Sequence, residues 1–260
     1  MPGAFDPTTR LGTPPLGRPP RTGRVRRELA LLGPMAQLRA GRLPRRLGQL
    51  GVGLVLYGLT LAMMIRATLG NAPWDVLHQG IARHLPISIG TAVIAMSVVV
   101  LLGWIPLREM PGLGTILNSV VVGLSADVFL GLIQTPSVPG LRWLLLLGGV
   151  FLNAVATALY IGSQFGPGPR DGLMTGLHRR TGVSIQLVRT GLEVGVVAAG
   201  VLLGGRLGVG TVLYAVAIGP LVQRMLPLAI VELPARASAQ GSRDPLTDLD
   251  DPCGPEPVAA

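Results

Sequence analysis

From about residue 49 the sequence changes from a polar, arginine-punctuated stretch into apolar runs. Each is close to the roughly 20 residues that carry an α-helix across a bilayer core. Six runs are predicted as membrane-spanning helices, over 49–68, 88–107, 112–133, 142–163, 184–204 and 208–228. The expected fold is all-α, a polytopic transmembrane helical bundle. Two less apolar segments interrupt the series, 70–86 after the first span and 166–182 after the fourth. In one, Asn71, Pro73 and Asp75 precede VLHQGIARHL; in the other, Gly168, Pro169 and Asp171 precede GLMTGLHRR. Proline is tolerated in the first turn of a helix, where its missing N–H breaks no intrahelical bond. An aspartate two residues later complements the positive helix end. Short helices are therefore predicted from near Pro73 and Pro169. About twelve residues rise about 18 Å, roughly half a bilayer core, so they are either re-entrant half-helices or amphipathic helices lying at the interface.

An ungapped self-match at an offset of 96 residues organises these elements. LGNAPWDVLHQGIARHLPISIG (69–90) aligns with FGPGPRDGLMTGLHRRTGVSIQ (165–186), and GLGTILNSVVVG (112–123) with GVGTVLYAVAIG (208–219). Over 69–123 there are 17 identities in 55 positions, including Gly70/Gly166, Pro73/Pro169, Asp75/Asp171 and Thr115/Thr211. Apolar composition inflates matches among Leu, Val and Gly, but it does not align Pro-x-Asp and Gly-x-Gly-Thr in one register. The predicted transmembrane domain, 49–228, thus divides into repeat 1 (49–133) and repeat 2 (142–228). Each holds three spans, an odd number, so the second copy is expected to enter the membrane from the opposite side. Inverted repeats of this kind occur in many secondary transporters, although duplicated membrane proteins that transport nothing also exist.

Composition agrees with the pattern. Hydrophobic residues make up 49% of the 260 and charged ones 13%, against about 25% charged in soluble domains. The mean hydropathy is +0.55. A soluble enzyme and a disordered chain are both disfavoured. The net charge is +9, and all 22 basic residues are arginine. Residues 1–48 contribute +8, residues 49–228 +5 and residues 229–260 −4. This excess ahead of the first span is a topology signal, with basic residues retained inside, and it displaces nucleic acid as the expected partner. The N- and C-termini are expected in the cytoplasm, with Arg66, Arg83, Arg142 and Arg206 in external loops. Residues 1–48 read as a basic, disordered cytoplasmic tail without the pattern of a signal peptide; within it, 35–47 suits anionic lipid headgroups. Residues 229–260 read as a disordered tail. A single cysteine, Cys253, supplies neither a disulfide nor a metal site.

Candidate chemistry centres on the Pro-x-Asp segments. Two helix N-termini related by pseudo-symmetry can face a shared cavity and receive a polar or anionic group. Asn71, Pro73, Asp75, Pro169, Arg170 and Asp171 are the candidate substrate-binding residues; the competing reading makes both aspartates helix caps. Trp74 stands where the second copy has Arg170, which makes the two sides chemically unequal. Asp127, Arg189, Glu193 and Gln223 are polar positions within spans, where ionisable groups usually face a bundle interior or water. Asp127 aligns with Gln223, while Arg189 and Glu193, four apart, can pair on one face. Gly112-x-Gly114-Thr115 and Gly208-x-Gly210-Thr211 lack the lysine of a phosphate loop and read as close helix contacts, as does Gly191-x-x-x-Gly195. His78, His84 and His178 fit no metalloprotease spacing, and no nucleophile elbow or Rossmann glycine motif is present. No catalytic residue, metal or cofactor is expected, and the chain does not read as an enzyme.

The phrases LGNAPWDVLHQGIARHLPISIG, WIPLREMPGLGTILN, GPGPRDGLMTGLHRRTGVSIQLVRT and GVGTVLYAVAIGPLVQ resemble the YczE-like membrane proteins of bacteria, related to the YitT group. The resemblance covers roughly residues 48–228. It implies an integral bacterial membrane protein of five or six spans and supplies no substrate. The resulting expectation is a multi-pass inner-membrane permease of an unknown small solute, working by alternating access. The alternative is a non-transporting membrane scaffold or regulatory partner of another complex.

Overall fold

A computed structural model describes residues 34–233. The expectations of disorder over 1–33 and 234–260 lie outside the described residues. Within them the chain forms nine helices and no strand. These are α1 (Pro34–Arg39), α2 (Leu43–Ala67), α3 (Pro73–His84), α4 (Ile89–Leu107), α5 (Leu113–Leu132), α6 (Pro139–Gly162), α7 (Pro169–Thr181), α8 (Ile185–Leu202) and α9 (Val209–Ala229). Six of them, α2, α4, α5, α6, α8 and α9, are long and apolar enough to cross a membrane. The fold is an all-α polytopic bundle.

Local chemistry explains the boundaries. Pro44, Pro73, Pro139 and Pro169 occupy the first turns of α2, α3, α6 and α7, where proline costs no hydrogen bond. Ser88 and Ser184 cap α4 and α8, each accepting a first-turn backbone N–H.

Two tail boundaries need correction. Residues 34–39 are helical and α2 begins at Leu43, so the stretch up to residue 48 is not a continuous disordered tail. Arg46 is the reason: its guanidinium is fully buried and fastens this segment to the end of α6. At the other terminus Ile230 and Val231 are buried. The Val231 N–H donates to the Gly162 carbonyl at 3.0 Å, which places residues 230–231 against the bundle rather than in a free tail.

Helices α2 and α6 form the centre and run antiparallel. Gln49 near the start of α2 donates to the Leu159 carbonyl near the end of α6 at 2.9 Å, whereas Met64, late in α2, packs by Gly149, early in α6. Gly53 permits the approach: a Cβ there would lie 2.9 Å from the Tyr160 amide. A buried polar chain ties the pair to α9. Tyr214 donates to Asn153 Oδ1 at 3.0 Å, and Asn153 Nδ2 donates to Thr60 Oγ1 at 2.9 Å. Around this centre α5 packs on α2, α9 on α6, α3 on α8 and α7 on α4.

Positions 96 apart play matching parts. Gly114 N donates to the Phe165 carbonyl at 2.9 Å, and Gly210 N to the Leu69 carbonyl at 2.8 Å. Gly70 and Gly166 adopt φ of +118° and +103°, conformations open to glycine at little cost. The Gly-x-Gly-Thr turns thus dock the loops ahead of α3 and α7, as close contacts rather than phosphate loops. Gly191 and Gly195 are a correction. Neither has a neighbour within 4 Å of where a Cβ would stand, because α8 meets its partner through Gly200, against Val76 and Leu77 of α3.

Candidate site: a central cavity between two short helices

The short helices start in the middle of the bundle and run outward to opposite ends. Trp74 packs against Val100 and Trp104 of α4, while Arg83, at the far end of α3, donates to the Gly204 carbonyl just past α8. In α7, the Pro169 carbonyl accepts Trp104 Nε1 at 2.9 Å. At the other end of α7, Arg179 pairs with Glu109 and Arg180 donates to the Pro106 carbonyl. Their N-termini converge, Trp74 and Asp75 of α3 lining one cavity with Pro169 and Arg170 of α7. The indole of Trp104 lies where any side chain on Gly172 would stand, so α7 can seat only with glycine there.

Two cavities surround the convergence. One of 50 Å³ is lined by Tyr57, Trp74, Asp75, His78, Pro169 and Arg170, together with apolar residues of α4. The other, of 220 Å³, lies between α8 and α9. It is lined by Arg170, Asp171, Arg189, Glu193 and Gln223, with Pro73, Tyr160 and Tyr214 also in its walls. Arg170 lines both.

The carboxylates are engaged by side chains. Asp75 Oδ1 lies 3.3 Å from His78 Nδ1, and Asp171 Oδ2 accepts the Tyr160 hydroxyl at 2.7 Å. Neither carboxylate accepts a backbone N–H of its own helix among the described hydrogen bonds, so the cap reading draws no support from side-chain geometry. Arg189 Nε donates to Glu193 Oε1 at 3.0 Å. Arg170 differs: its guanidinium carbon lies 5.5 Å from the Tyr57 ring centroid, and it has no ion pair or side-chain hydrogen bond among the described residues.

Two candidates lie away from the cavities. Asn71 is 1% exposed, and its Nδ2 donates to Gln79 Oε1 at 3.2 Å. Gln79 Oε1 also accepts the Arg206 backbone N–H, so this pair fastens the α3 segment to the loop before α9. Asp127 accepts the Ser88 hydroxyl at 2.5 Å and the Gly90 N–H at 2.8 Å, clamping the start of α4 to α5. There a Cβ on Gly123 would meet the Gly90 carbonyl oxygen at 2.5 Å. The aligned positions in the second half behave otherwise. Gly219 has nothing within 4 Å, and Gln223 faces the larger cavity.

Comparison with known proteins places this architecture. Residues 44–227 match a protein family described as a family of unknown function, DUF6198. The chain belongs to that family. Over 181 residues it is 40% identical to an uncharacterized protein of Haemophilus influenzae, covering 70% of this chain and 83% of the relative. It is 30% identical over 182 residues to the uncharacterized membrane protein YczE of Bacillus subtilis, covering 69% and 84%. No solved structure matches. The YczE-like resemblance is therefore correct, and the chain is a multi-pass membrane protein.

Sequence reasoning missed the tyrosines. All three in the chain, Tyr57, Tyr160 and Tyr214, line the two cavities. A signal was available, since each phenol sits within a predicted span, where its hydroxyl must find a polar partner. His78, which fits no metalloprotease spacing, is the partner of Asp75.

Proposed function

We propose that the chain is a permease that moves a small solute across the bacterial inner membrane by alternating access, with the two halves as inverted three-span repeats. The observation that carries this reading is an inequality between equivalent contacts. Helices α4 and α5 are sealed by Gly90, Gly123 and the Ser88–Asp127 hydrogen bond. Their counterparts α8 and α9 stand apart, separated by the 220 Å³ polar cavity and an apolar slot of 690 Å³. Rocking one repeat against the other would exchange the two arrangements and open the central site to each side in turn. The antiparallel course of α2 and α6 and the paired Gly114–Phe165 and Gly210–Leu69 hydrogen bonds support the inverted repeat. The site works by binding and release, without a covalent step. Both termini face the cytoplasm in this reading, and exposed Arg39, Arg42 and Arg45 meet anionic headgroups.

Paired cysteines in a Cys253→Ser background test the motion. Ser88→Cys with Asp127→Cys should cross-link in native membranes, because those side chains touch. Ser184→Cys with Gln223→Cys, at the equivalent positions, should cross-link only if the other state is visited. Reaction of both pairs is expected; reaction of the first pair alone would leave a rigid scaffold.

A further inference from the structure

We infer that the central site receives the single anionic group of a small organic acid, held by Arg170. This deepens the permease reading and takes its physiological meaning from it, although binding itself requires no transport.

Arg170 lines both cavities, as Trp74 and Tyr160 do, and is the charged one of the three; among the described residues its N–H donors have no hydrogen-bond partner. A guanidinium keeps its proton and offers five N–H donors and no acceptor. Other arginines of the bundle donate to protein acceptors, although Arg66 Nε is buried without one. Arg46 donates to three carbonyls, Arg142 to the Pro136 carbonyl at 2.7 Å and Arg189 to Glu193. Among the described residues the partner of the Arg170 guanidinium is the face of Tyr57.

The two nearby carboxylates are paired elsewhere, Asp75 with His78 and Asp171 with Tyr160, and among the described residues neither hydrogen-bonds to Arg170. Arg170 therefore keeps its charge and its fork for a ligand, and a carboxylate matches that fork with two parallel hydrogen bonds. The N-termini of α3 and α7, both directed at this point, add positive potential.

Two features limit the ligand further. Where the repeat would place a second arginine, the chain has Trp74, so one cation stands beside the carboxylates of Asp75 and Asp171, and a single negative charge on the ligand is the most that this balance admits. Rings and hydrocarbon from Tyr57, Trp74, Leu61, Val93 and Met96 line much of the smaller cavity, with Ser97 and Asn118 as further polar groups in its wall. The ligand class that fits is a monocarboxylate with a short aliphatic body, since 50 Å³ is well under the ~150 Å³ of an apolar cavity that holds a benzene ring.

Titration of the full-length protein in detergent tests this. The probes are butanoate, its neutral amide and the corresponding ammonium, with tryptophan fluorescence as the readout because Trp74 lines the cavity. Saturable binding of the carboxylate is expected, with the amide at least about tenfold weaker. Arg170→Gln should abolish carboxylate binding, and Arg170→Lys should retain a weakened fraction. The unfolding temperature of unliganded Arg170→Gln should stay within about 2 °C of the parent, since no ion pair is lost. Three results would overturn the assignment: tighter binding of the ammonium, carboxylate binding unaffected by Arg170→Gln, or no saturation by the carboxylate up to about 10 mM. The cysteine pairs report motion without ligand, so the two readings fail separately. Carboxylate binding beside an unreactive Ser184/Gln223 pair would describe a fixed receptor.

Discussion

Arg45 and Arg46 are adjacent, carry the same charge and contribute equally to the positive excess before the first span. Replacing each in turn with methionine separates topology from packing. Arg45 is exposed, and Arg45→Met is expected to change stability by no more than about 0.5 kcal/mol. Arg46 is 0% exposed. Its guanidinium donates to the carbonyls of Gln37 at 2.6 Å, Ser163 at 2.9 Å and Gln164 at 2.8 Å, and it lies 4.2 Å from the Phe165 ring centroid. Removing a buried partner costs about 1–3 kcal/mol per stranded group, and a desolvated cation–π contact adds about 1–2 kcal/mol. Relief of the cost of burying a charge offsets part of this. A net loss of about 3–5 kcal/mol is expected for Arg46→Met. Arg46→Lys should fall between, because one ammonium cannot reproduce the planar fork. Denaturant unfolding in micelles, followed by circular dichroism, measures all three. If Arg46→Met costs no more than Arg45→Met, the three-carbonyl clamp does not hold the end of α6 and the reasoning fails.

Further consequences concern the core, the seal and the orientation. Asn153→Ala leaves the Tyr214 hydroxyl without its acceptor and removes the donor to Thr60 Oγ1, whose own hydroxyl still donates to the Tyr57 carbonyl; it should cost about 2–4 kcal/mol in the same assay, more than Tyr214→Phe at about 1 kcal/mol, and the reverse order would contradict the buried chain. Gly123→Leu forces α4 away from α5, so cross-linking of Ser88→Cys with Asp127→Cys should fall while that of Ser184→Cys with Gln223→Cys rises. Unchanged yields in a folded protein would show that the two contacts are not coupled. In whole cells, an impermeant thiol reagent should label Pro139→Cys and spare Thr181→Cys, both exposed positions, in the Cys253→Ser background. The opposite pattern would invert the proposed orientation.

By itself the sequence determined the elements. The six spans follow from the length of the apolar runs, and the two short helices from proline and aspartate in a first turn. Both are properties of a few consecutive residues, so they were legible without knowing what packs where; the observed starts at Pro73 and Pro169 match the predicted ones. The offset of 96 brought Asp75 and Asp171 into correspondence for the same reason. Tertiary structure decided what depends on residues distant in the chain. Arg46 resembles Arg45 until Ser163 and Gln164, more than a hundred positions away, present their carbonyls to it. Gly123 and Gly219 are identical in the alignment, yet one is sealed against Gly90 and the other faces open space. Asp127 and Gln223 likewise divide into a clamp and a cavity wall. Hydropathy and φ preference act on each residue locally, whereas burial, partner choice and the opening between two helices belong to the packed assembly.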